Sequence, residues 1–312
     1  MIALRLDAML VQRDPSRTRS LKAESFMKIL RFPILLLSSL IVSGCFDSDE
    51  GGDAPPDPYA DLRKLPPDKD GTHLAHELEA GKSPYEYGFY LYLPGGMADT
   101  SAKAAVKYPM VVYLHGDGSN DNNPLTAVLN EGVPYTIANK KWHPPFPMIA
   151  VAPQNHKPVG TSWDPKKVHG FIQYLSQTYA VDSTRIYLTG MSQGGGGTFN
   201  YLATLKSDGL VAAAVPVAGW TSPGAAKTFT IPVWAFHGSD DKTLSAAKVV
   251  EAMAAFKTAR PDLDSRVTLF PGLDHEFKEW YYTYVFGEHG PVDTAHQAFD
   301  QDIYSWMLRY RK

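Results

Sequence analysis

The sequence has little from which cross-links, metal sites or cofactor sites could be built. Its only cysteine is Cys45, so no disulfide can form within the chain. It has no cluster of His, Cys and acidic residues at metal-ligand spacing, and no G-x-x-x-x-G-K-[ST] segment for a nucleotide phosphate. Its formal net charge of -3 gives no reason to expect a nucleic-acid partner. We therefore expect no metal and no cofactor in a chain of ordinary globular composition, 44% hydrophobic and 20% charged.

A short apolar run, Pro33–Val42, lies near the N-terminus and follows Lys28 and Arg31. A transmembrane helix needs about 20 apolar residues, so this run is too short to cross a bilayer and suits a signal peptide. The run ends in Val42-Ser43-Gly44-Cys45, which resembles a bacterial lipoprotein signal. The resemblance implies cleavage before Cys45, lipidation of its thiol, and anchoring to a membrane in the periplasm or at the cell surface. An ordinary secretory signal with an incidental cysteine is the alternative.

Three segments are expected along the chain. Residues 1–44 form the signal or leader region, in which Met27 is a second possible start of translation. Residues 45–71 are rich in Asp, Gly and Pro without apolar periodicity, which predicts an extended acidic tether. Residues 72–312 form a single domain in which strands and helices alternate. This alternation predicts the α/β class, with a mostly parallel central sheet and helices on both faces.

Continuous apolar runs within the domain indicate strands that are covered on both faces, and longer runs of helical period indicate the helices between them. The predicted strands are Tyr85–Pro94, Met110–Leu114, Met148–Ala152, Arg185–Thr189, Leu210–Val217, Val233–Phe236 and Arg266–Phe270. The predicted helices are Val168–Tyr179, Thr198–Leu205, Leu244–Thr258 and Thr294–Leu308.

The most informative motif is G-x-S-x-G, present as Gly190-Met191-Ser192-Gln193-Gly194. It lies between the predicted strand Arg185–Thr189 and the predicted helix Thr198–Leu205. A serine in a sharp turn between a strand and a helix is typical of a nucleophile elbow. The free N–H groups and the dipole of the helix N-terminus suit the negative charge that develops on a carbonyl oxygen under attack. We therefore predict Ser192 as a nucleophile.

A serine hydroxyl needs a base, and that base needs an acid to orient it. His275 follows the strand Arg266–Phe270, while Asp240 and Asp241 follow the strand Val233–Phe236. The carboxyl ends of parallel strands are where such sheets place their sites, and the order Ser, Asp, His fits an elbow serine. We predict His275 as the base, and the spacing leaves both aspartates open as the acid. The other histidines that we considered are His115, His143, His237, His289 and His296.

A glycine-containing loop, His115-Gly116-Asp117-Gly118, follows the strand Met110–Leu114. In an elbow enzyme the loop at this place gives one N–H of the oxyanion hole, and the residue after the nucleophile gives the other. We therefore predict the N–H groups of Gln193 and Asp117 as the oxyanion hole, with Gly118 as the alternative to Asp117.

The chain from Tyr85 to Leu308 resembles an α/β-hydrolase. It is most similar to the secreted esterases grouped with feruloyl esterases and polyhydroxybutyrate depolymerases, and to their peptidase-like neighbours. The motifs that carry the resemblance are Tyr113-Leu114-His115-Gly116, Tyr179-Ala180-Val181-Asp182, Arg185 to Gly195, His237-Gly238 with Asp241, and Gly272 with His275. The resemblance selects Asp241 as the acid, four places after the histidine of His-Gly. It implies hydrolysis of small-molecule or polysaccharide esters through an acyl-enzyme, without a cofactor.

Trp163, Trp220 and Trp280 lie on or near loops that we expect above the sheet, where they could stack on a sugar ring or a phenolic acyl group. The alternative for each is that it only packs its loop. Two other functions remain open at this point. A serine peptidase would use the same triad, and a surface lipoprotein could use an inactive hydrolase fold to bind glycan.

Overall fold

The strands of the domain follow one another along the chain with helices between most of them, as the sequence predicts. A computed structural model describes residues 57–77, 85, 87–120, 123–275, 283–288, 292–293, 296 and 298–312. Contacts divide the chain into two units, Met1–Asp53 and Ala54–Lys312, and all described residues belong to the second. The strands are β1 (Thr72–His76), β2 (Phe89–Leu93), β3 (Tyr108–Leu114), β4 (Ile149–Pro153), β5 (Val181–Met191), β6 (Ala213–Val217), β7 (Val233–Gly238) and β8 (Ser265–Phe270). The α-helices are α1 (Gly132–Ala138), α2 (Pro165–Thr178), α3 (Gln193–Leu205), α4 (Pro223–Ala226), α5 (Ala246–Ala259) and α6 (Ile303–Met307).

The described strands form one sheet in the order β1-β2-β4-β3-β5-β6-β7-β8. The first two strands are antiparallel to their neighbours, and the strands from β4 to β8 run parallel. The chain leaves β3 toward β4 on one side and returns to β5 on the other, so the strand order reverses at β3. Such a reversal opens a crevice at the carboxyl ends of the strands, which is where ligands bind in open α/β sheets.

Every residue of β3 is buried, because this central strand is covered on both faces. Its side chains alternate between two hydrophobic clusters, one that contains Met110 and Val112 and one that contains Val111 and Tyr113. Residues of α2, α3 and α5 pack in the first cluster, and residues of α1 and α6 pack in the second. The predicted α/β-hydrolase fold, with a mostly parallel sheet and helices on both faces, is confirmed.

All four predicted helices differ from those observed in their bounds, and two of them begin at a clearly different residue. The helix predicted from Thr198 begins already at Gln193, because its glycines let it approach the sheet closely. The helix predicted over Thr294–Leu308 begins only at Ile303, where the Asp302 side chain accepts the N–H of Ser305 at 2.7 Å and caps it. Residues 294, 295 and 297 lie outside the described residues.

The prediction of an extended tether is wrong for residues 57–71. A short 3-10 helix, Leu62–Lys64, packs there with Leu62 only 3% exposed. Asp61 binds the buried Arg185 of β5, and Asp68 accepts the hydroxyl proton of Tyr92 at 2.8 Å. The composition predicts an extended segment. The burial of this leucine, and the hydrogen bonds of these two aspartates to residues of the sheet, instead hold the segment against the domain. The signal region, Cys45 and residues 46–56 lie outside the described residues, so the lipoprotein interpretation stays a prediction.

None of the helices in the described ranges has the length and apolar content of a membrane-spanning segment.

Candidate active site

Ser192 occupies a sharp turn between β5, which ends at Met191, and α3, which begins at Gln193. Its backbone has φ 53° and ψ -115°, an unfavourable conformation for a residue with a Cβ. Two hydrogen bonds hold this conformation, since the N–H of Ser192 donates to Val217 O at 2.9 Å and its C=O accepts from Gly196 N at 2.9 Å. The strand, turn and helix of a nucleophile elbow are therefore present, with the serine at the apex.

The elbow depends on a glycine two residues after the serine. A Cβ added at Gly194 would lie 1.9 Å from Leu114 O, at the end of β3. Any side chain there would push the first turn of α3 away from the sheet. The close approach of α3 to β3 brings the helix N-terminus next to the loop that follows β3, which is the loop with the predicted oxyanion donor.

A continuous hydrogen-bonded chain connects Ser192, His275 and Asp241. The serine Oγ lies 2.7 Å from His275 Nε2, and His275 Nδ1 lies 2.6 Å from Asp241 Oδ2. The Asp241 side chain is fully buried, and its Oδ1 accepts the N–H groups of Thr243 at 2.9 Å and Leu244 at 2.7 Å. The carboxylate thus accepts three N–H donors and is held in one orientation. The three residues predicted from the order of motifs come together at the carboxyl ends of β5, β7 and β8.

The adjacent aspartate does not take part in this chain. Asp240 is exposed, and its Oδ1 accepts the Ser239 hydroxyl at 2.7 Å. Asp274, which the sequence analysis did not single out, has a different role. It accepts the N–H of Lys242 at 3.0 Å, the Lys242 ammonium at 2.9 Å and the N–H of His275 at 2.7 Å, and these bonds hold its pKa well below the usual range. Asp274 therefore ties the loop that bears the base to the loop that bears the acid.

The competing histidines lie in other environments. His237 is fully buried at the end of β7, where its Nε2 donates to Leu244 O at 2.7 Å and lies 3.1 Å from Asp241 Oδ2. Burial lowers the pKa of His237, so it braces the acid loop as a neutral ring. His296 pairs with Asp293, His143 lines a groove with Pro67 and Pro147, and His289 lies outside the described residues.

The two predicted oxyanion residues are joined through their side chains. The Gln193 amide donates from Nε2 to Asp117 Oδ1 at 2.8 Å, and the same oxygen accepts the N–H of Gly160 at 2.6 Å. Gln193 begins α3 and Asp117 begins a 3-10 helix, Asp117–Ser119, so neither backbone N–H has an acceptor within its own helix. The side-chain contact thus brings the first residues of these two helices close together, and one of them, Gln193, directly follows Ser192 in the chain. Gly118, the alternative donor, is exposed.

Two buried titratable residues lie behind the Asp117 loop. His115 is fully buried, and burial lowers its pKa to about 4, so the ring is neutral. Glu131, at the start of α1, is 5% exposed, and burial raises its pKa to about 7. Its Oε1 accepts the N–H of Gly116 at 2.9 Å and the Ser119 hydroxyl at 3.3 Å. No motif marks Glu131 in the sequence, because its partners come from a loop more than ten residues away.

The three tryptophans do not share one role. Trp163 is only 1% exposed, and its Nε1 donates to His115 O at 3.1 Å, so the prediction that it contacts substrate is wrong. Trp163 packs against Gly197 of α3, and a larger residue in place of this glycine would collide with the tryptophan. Trp220 is 48% exposed in the loop after β6, with the Lys248 ammonium 5.7 Å from its ring centre. Trp280 lies outside the described residues.

One further apolar side chain, Val159, is exposed on the loop that follows β4. Like Trp220, it lies on a loop that follows a parallel strand, as Ser192 and His275 do. Within the described ranges, no group of three His, Cys, Asp or Glu side chains is arranged to hold a metal ion.

Comparisons with known structures agree with the fold. A solved structure of a thermostable esterase superposes with a TM-score of 0.52 at 20% identity, over 79% of this chain and 64% of that one. The S-formylglutathione hydrolase of Staphylococcus aureus superposes with a TM-score of 0.53 at 12% identity, over 77% of this chain and 100% of that one. At these identities the two structures establish the fold alone.

A bifunctional acetylxylan esterase/xylanase of Neocallimastix patriciarum is 26% identical over 167 residues, which is 51% of this chain and 22% of that protein. The chain therefore spans less than a quarter of the length of this relative. The model of the dienelactone hydrolase family matches residues 154–310, about half of the chain. This span contains Ser192, His275 and Asp241. The chain belongs to the dienelactone hydrolase family.

Proposed function

We propose that the protein is a serine hydrolase of carboxylic esters. The observation that carries this proposal is the hydrogen-bonded chain from Ser192 Oγ through His275 to the buried Asp241, with the serine held in a strained elbow. A glycan-binding protein with an inactive hydrolase fold has no use for an oriented serine, base and acid. The family to which the chain belongs supports the same conclusion.

The proton arrangement follows from the hydrogen bonds. Asp241 accepts a hydrogen bond from His275 Nδ1–H, so Nε2 carries the lone pair and can accept the Ser192 hydroxyl proton. As Oγ attacks the ester carbonyl carbon, this proton moves to Nε2 and the imidazolium is stabilised by the carboxylate. The N–H groups of Gln193 and Asp117 would hold the oxyanion, and their value lies in being oriented before the reaction starts.

The same groups then complete the cycle. The imidazolium of His275 donates its proton to the leaving alkoxide, and the acyl group remains on Ser192 as an ester. A water molecule attacks this acyl-enzyme while His275 Nε2 accepts one of its protons. Collapse of the second tetrahedral intermediate returns the proton to Ser192 Oγ and releases the carboxylic acid. No other group is needed to balance these steps.

We propose acylated polysaccharides or short-chain esters as the substrate class. The chain resembles part of an acetylxylan esterase/xylanase, and Trp220 presents a large exposed ring near the elbow. The backbone places it there, because Trp220 follows Gly219, whose Cα would lie 2.9 Å from a Cβ at Gly195 in α3. An exposed aromatic ring on a loop that packs against the elbow helix suits the face of a sugar or of a phenolic acyl group.

We also propose that the mature protein is attached to a membrane through a lipid on Cys45, in the periplasm or on the cell surface. The support is the sequence alone, where the apolar run is followed by Val42-Ser43-Gly44-Cys45 and the chain has no other cysteine. This part of the proposal is independent of the catalytic one.

The test of the catalytic proposal is covalent labelling combined with hydrolysis assays. A fluorophosphonate should label the wild type at Ser192 at neutral pH, and peptide mapping should find the adduct on that residue. Ser192→Ala should lose labelling and reduce kcat on p-nitrophenyl acetate by roughly 10⁴-fold or more. Ser222→Ala is the matched control, since the Ser222 side chain caps the short helix α4. This variant should keep both the labelling at Ser192 and the hydrolysis of p-nitrophenyl acetate. Labelling at another residue, or an active Ser192→Ala, would refute the proposal.

Substrate class is tested on the same preparations. Acetylated xylan, feruloylated xylan and p-nitrophenyl esters of increasing acyl length should be compared, with Trp220→Ala beside the wild type. If Trp220 binds the sugar, this variant should raise KM for the polysaccharides by roughly tenfold or more, in line with about 1.4 kcal/mol of lost stacking. Its KM for p-nitrophenyl acetate should not change. Peptide hydrolysis without ester hydrolysis would favour the peptidase alternative.

A further inference from the structure

The peptide group between Gly116 and Asp117 has a defined orientation. The carbonyl oxygen of Gly116 lies 2.5 Å from His115 Nδ1. The other ring nitrogen, Nε2, accepts the backbone N–H of Asn155 at 2.8 Å, so the proton of this neutral ring must be on Nδ1. His115 therefore donates to the carbonyl of Gly116. In a trans peptide the C=O and the N–H point in opposite directions, so the N–H of Asp117 is turned away from the buried imidazole.

The other side of Gly116 is held by a carboxyl group. Glu131 Oε1 lies 2.9 Å from the N–H of Gly116, and it also accepts the Ser119 hydroxyl at 3.3 Å. Gly116 is thus gripped at both of its backbone groups, by a histidine at its C=O and by a glutamate at its N–H. The N–H belongs to the His115–Gly116 peptide and the C=O to the Gly116–Asp117 peptide, so both peptides that flank Gly116 are held. Because neither peptide can rotate freely, the direction of the next N–H, that of Asp117, is set before any substrate arrives.

The position of Glu131 is itself fixed by packing. The next residue, Gly132, has φ +58°, and a Cβ added there would lie 2.1 Å from the ring of Tyr113 in β3. The start of α1 is therefore pressed against the sheet, next to the residue that carries the carboxyl group. Rigid backbone around a buried polar side chain is what precise placement of a loop requires.

A carboxyl group at this place is costly to the fold. Glu131 is 5% exposed, and among the described residues it forms no ion pair with lysine or arginine. Burying a carboxyl without a cation is unfavourable, and an apolar side chain would fill the same space without that cost. A group that costs stability and lies directly behind a candidate active-site loop is better explained by function than by packing.

We propose that Glu131 is a positioning residue of the oxyanion hole, which holds the N–H of Gly116 and thereby sets the direction of the following Gly116–Asp117 peptide, so that the N–H of Asp117 faces the reacting oxygen. This inference rests on the proposed function, because it requires an oxyanion at Ser192. Glu131 touches neither substrate nor any of Ser192, His275 and Asp241. It acts through Gly116, so its removal should weaken the stabilisation of the oxyanion without changing the binding of the ground-state substrate.

Three substitutions separate this role from simple packing. Glu131→Gln keeps a carbonyl oxygen that can accept from Gly116, and its kcat on p-nitrophenyl acetate should stay within about threefold of the wild type. Glu131→Leu has no acceptor, and its kcat should fall about 10- to 100-fold, since loss of a whole oxyanion donor costs roughly 10²–10³. Glu131→Asp shortens the side chain by one methylene, so its kcat should lie between those of Glu131→Gln and Glu131→Leu. KM should stay within about twofold in all three.

A transition-state analogue gives the second readout. In a trifluoromethyl ketone the Ser192 oxygen adds to the carbonyl carbon, and the ketone oxygen becomes an oxyanion in the same place as that of the ester. The inhibition constant should therefore rise in parallel with the loss of kcat across the three variants. Thr136→Val is the matched control, because it removes a buried hydroxyl of the same helix, one that donates to Val133 O at 2.7 Å and does not touch the loop. Its kcat and inhibition constant should equal those of the wild type.

The outcomes are distinguishable. A folded Glu131→Leu with the kcat and the inhibition constant of the wild type would overturn the inference, as would a loss that Thr136→Val shares or a change in KM alone. If Glu131→Leu does not fold, Glu131→Asp decides, and wild-type kinetics in that variant would overturn the inference too. A wild type that hydrolyses no ester and does not bind the ketone would overturn the proposed function and this inference together. If the wild type hydrolyses esters and the Glu131 variants have the same kcat and inhibition constant as the wild type, the inference is overturned and the proposed function is not.

Discussion

Replacing Asp61 by alanine should destabilise the protein far more than its place in an acidic, proline-rich segment suggests. Its partner, Arg185 of β5, has a fully buried side chain. Asp61 binds this guanidinium with both oxygens, at 2.6 Å and 2.9 Å, and the arginine lowers the pKa of Asp61 to about 2. Arg185 also donates to Pro58 O at 2.8 Å, and the Asp182 carboxylate lies 3.9 Å away. Asp61→Ala would leave a buried charge with only these weaker partners.

The size of the effect follows from this environment. Removing one partner of a fully buried ion pair costs about 3–5 kcal/mol. The Asp61 side chain is 49% exposed and Asp182 remains nearby, so the loss should be smaller, about 2–3 kcal/mol. Asp57→Ala is the control from the same segment. Asp57 pairs with Arg63 at 3.1 Å, but both side chains are exposed to solvent, so this change should have little effect on stability.

Urea denaturation measures the difference. Asp61→Ala should lower the midpoint by roughly 1 M without changing the slope, and Asp57→Ala should leave it nearly unchanged. Adding Arg185→Met to Asp61→Ala should restore part of the loss, because it removes the unpaired charge. Well below the unfolding temperature kcat should not change, since Arg185 precedes Ser192 by most of the length of β5. Equal midpoints for Asp61→Ala and Asp57→Ala would refute the reasoning and restore the view of residues 57–71 as a tether.

Three further predictions concern the acid, the buried glutamate and the anchor. Asp241→Asn should reduce kcat by up to about 10⁴-fold at unchanged circular dichroism, whereas Asp240→Asn should cost about tenfold or less; the reverse order would move the acid to Asp240. Burial raises the Glu131 pKa from 4.5 to about 7, so the folded state holds this proton more tightly and stability falls as pH rises through that window. Glu131→Gln should therefore gain about 3 kcal/mol relative to the wild type between pH 4 and pH 8 in denaturation curves, and a constant difference would contradict the buried, unpaired carboxyl. Cys45→Ser should abolish partition of the mature protein into detergent, and a wild type that stays in the aqueous phase would exclude the lipid anchor.

The fold was predictable because each element carries its own local signal. The apolar runs that became β3, β4 and β7 are continuous, as strands covered on both faces require, and the helices between them have helical period. The bounds were less predictable, since they depend on distant partners. Nothing local in the sequence indicates that α3 starts among four glycines. The glycines are needed there because the carbonyl of Leu114, at the end of β3, lies close to the start of the helix.

The site was predictable in part for a similar reason. Ser192 has a motif, and His275 follows a strand in the order that the elbow fold imposes, so position along the chain was enough to select these two. Position left Asp240 and Asp241 both open, and the family resemblance selected Asp241. Trp163 and Glu131 have no such signal. Whether a tryptophan near a loop faces solvent or packs under it depends on neighbours such as Gly197 and His115, which come from other parts of the chain.

The residues that the sequence did not reveal have one feature in common, which is that they act on the backbone around the serine rather than on a substrate. Val217 accepts the N–H of Ser192, and Gly195 of α3 lies so close that a Cβ there would be 2.3 Å from that same carbonyl. A strained residue keeps its conformation only when its surroundings leave it no other, and here the contacts come from β6 on one side and from α3 on the other. Since a hydroxyl that is displaced by about 1 Å loses roughly 10²-fold in rate, close backbone packing at glycine matters as much to this site as the three side chains that carry the proton.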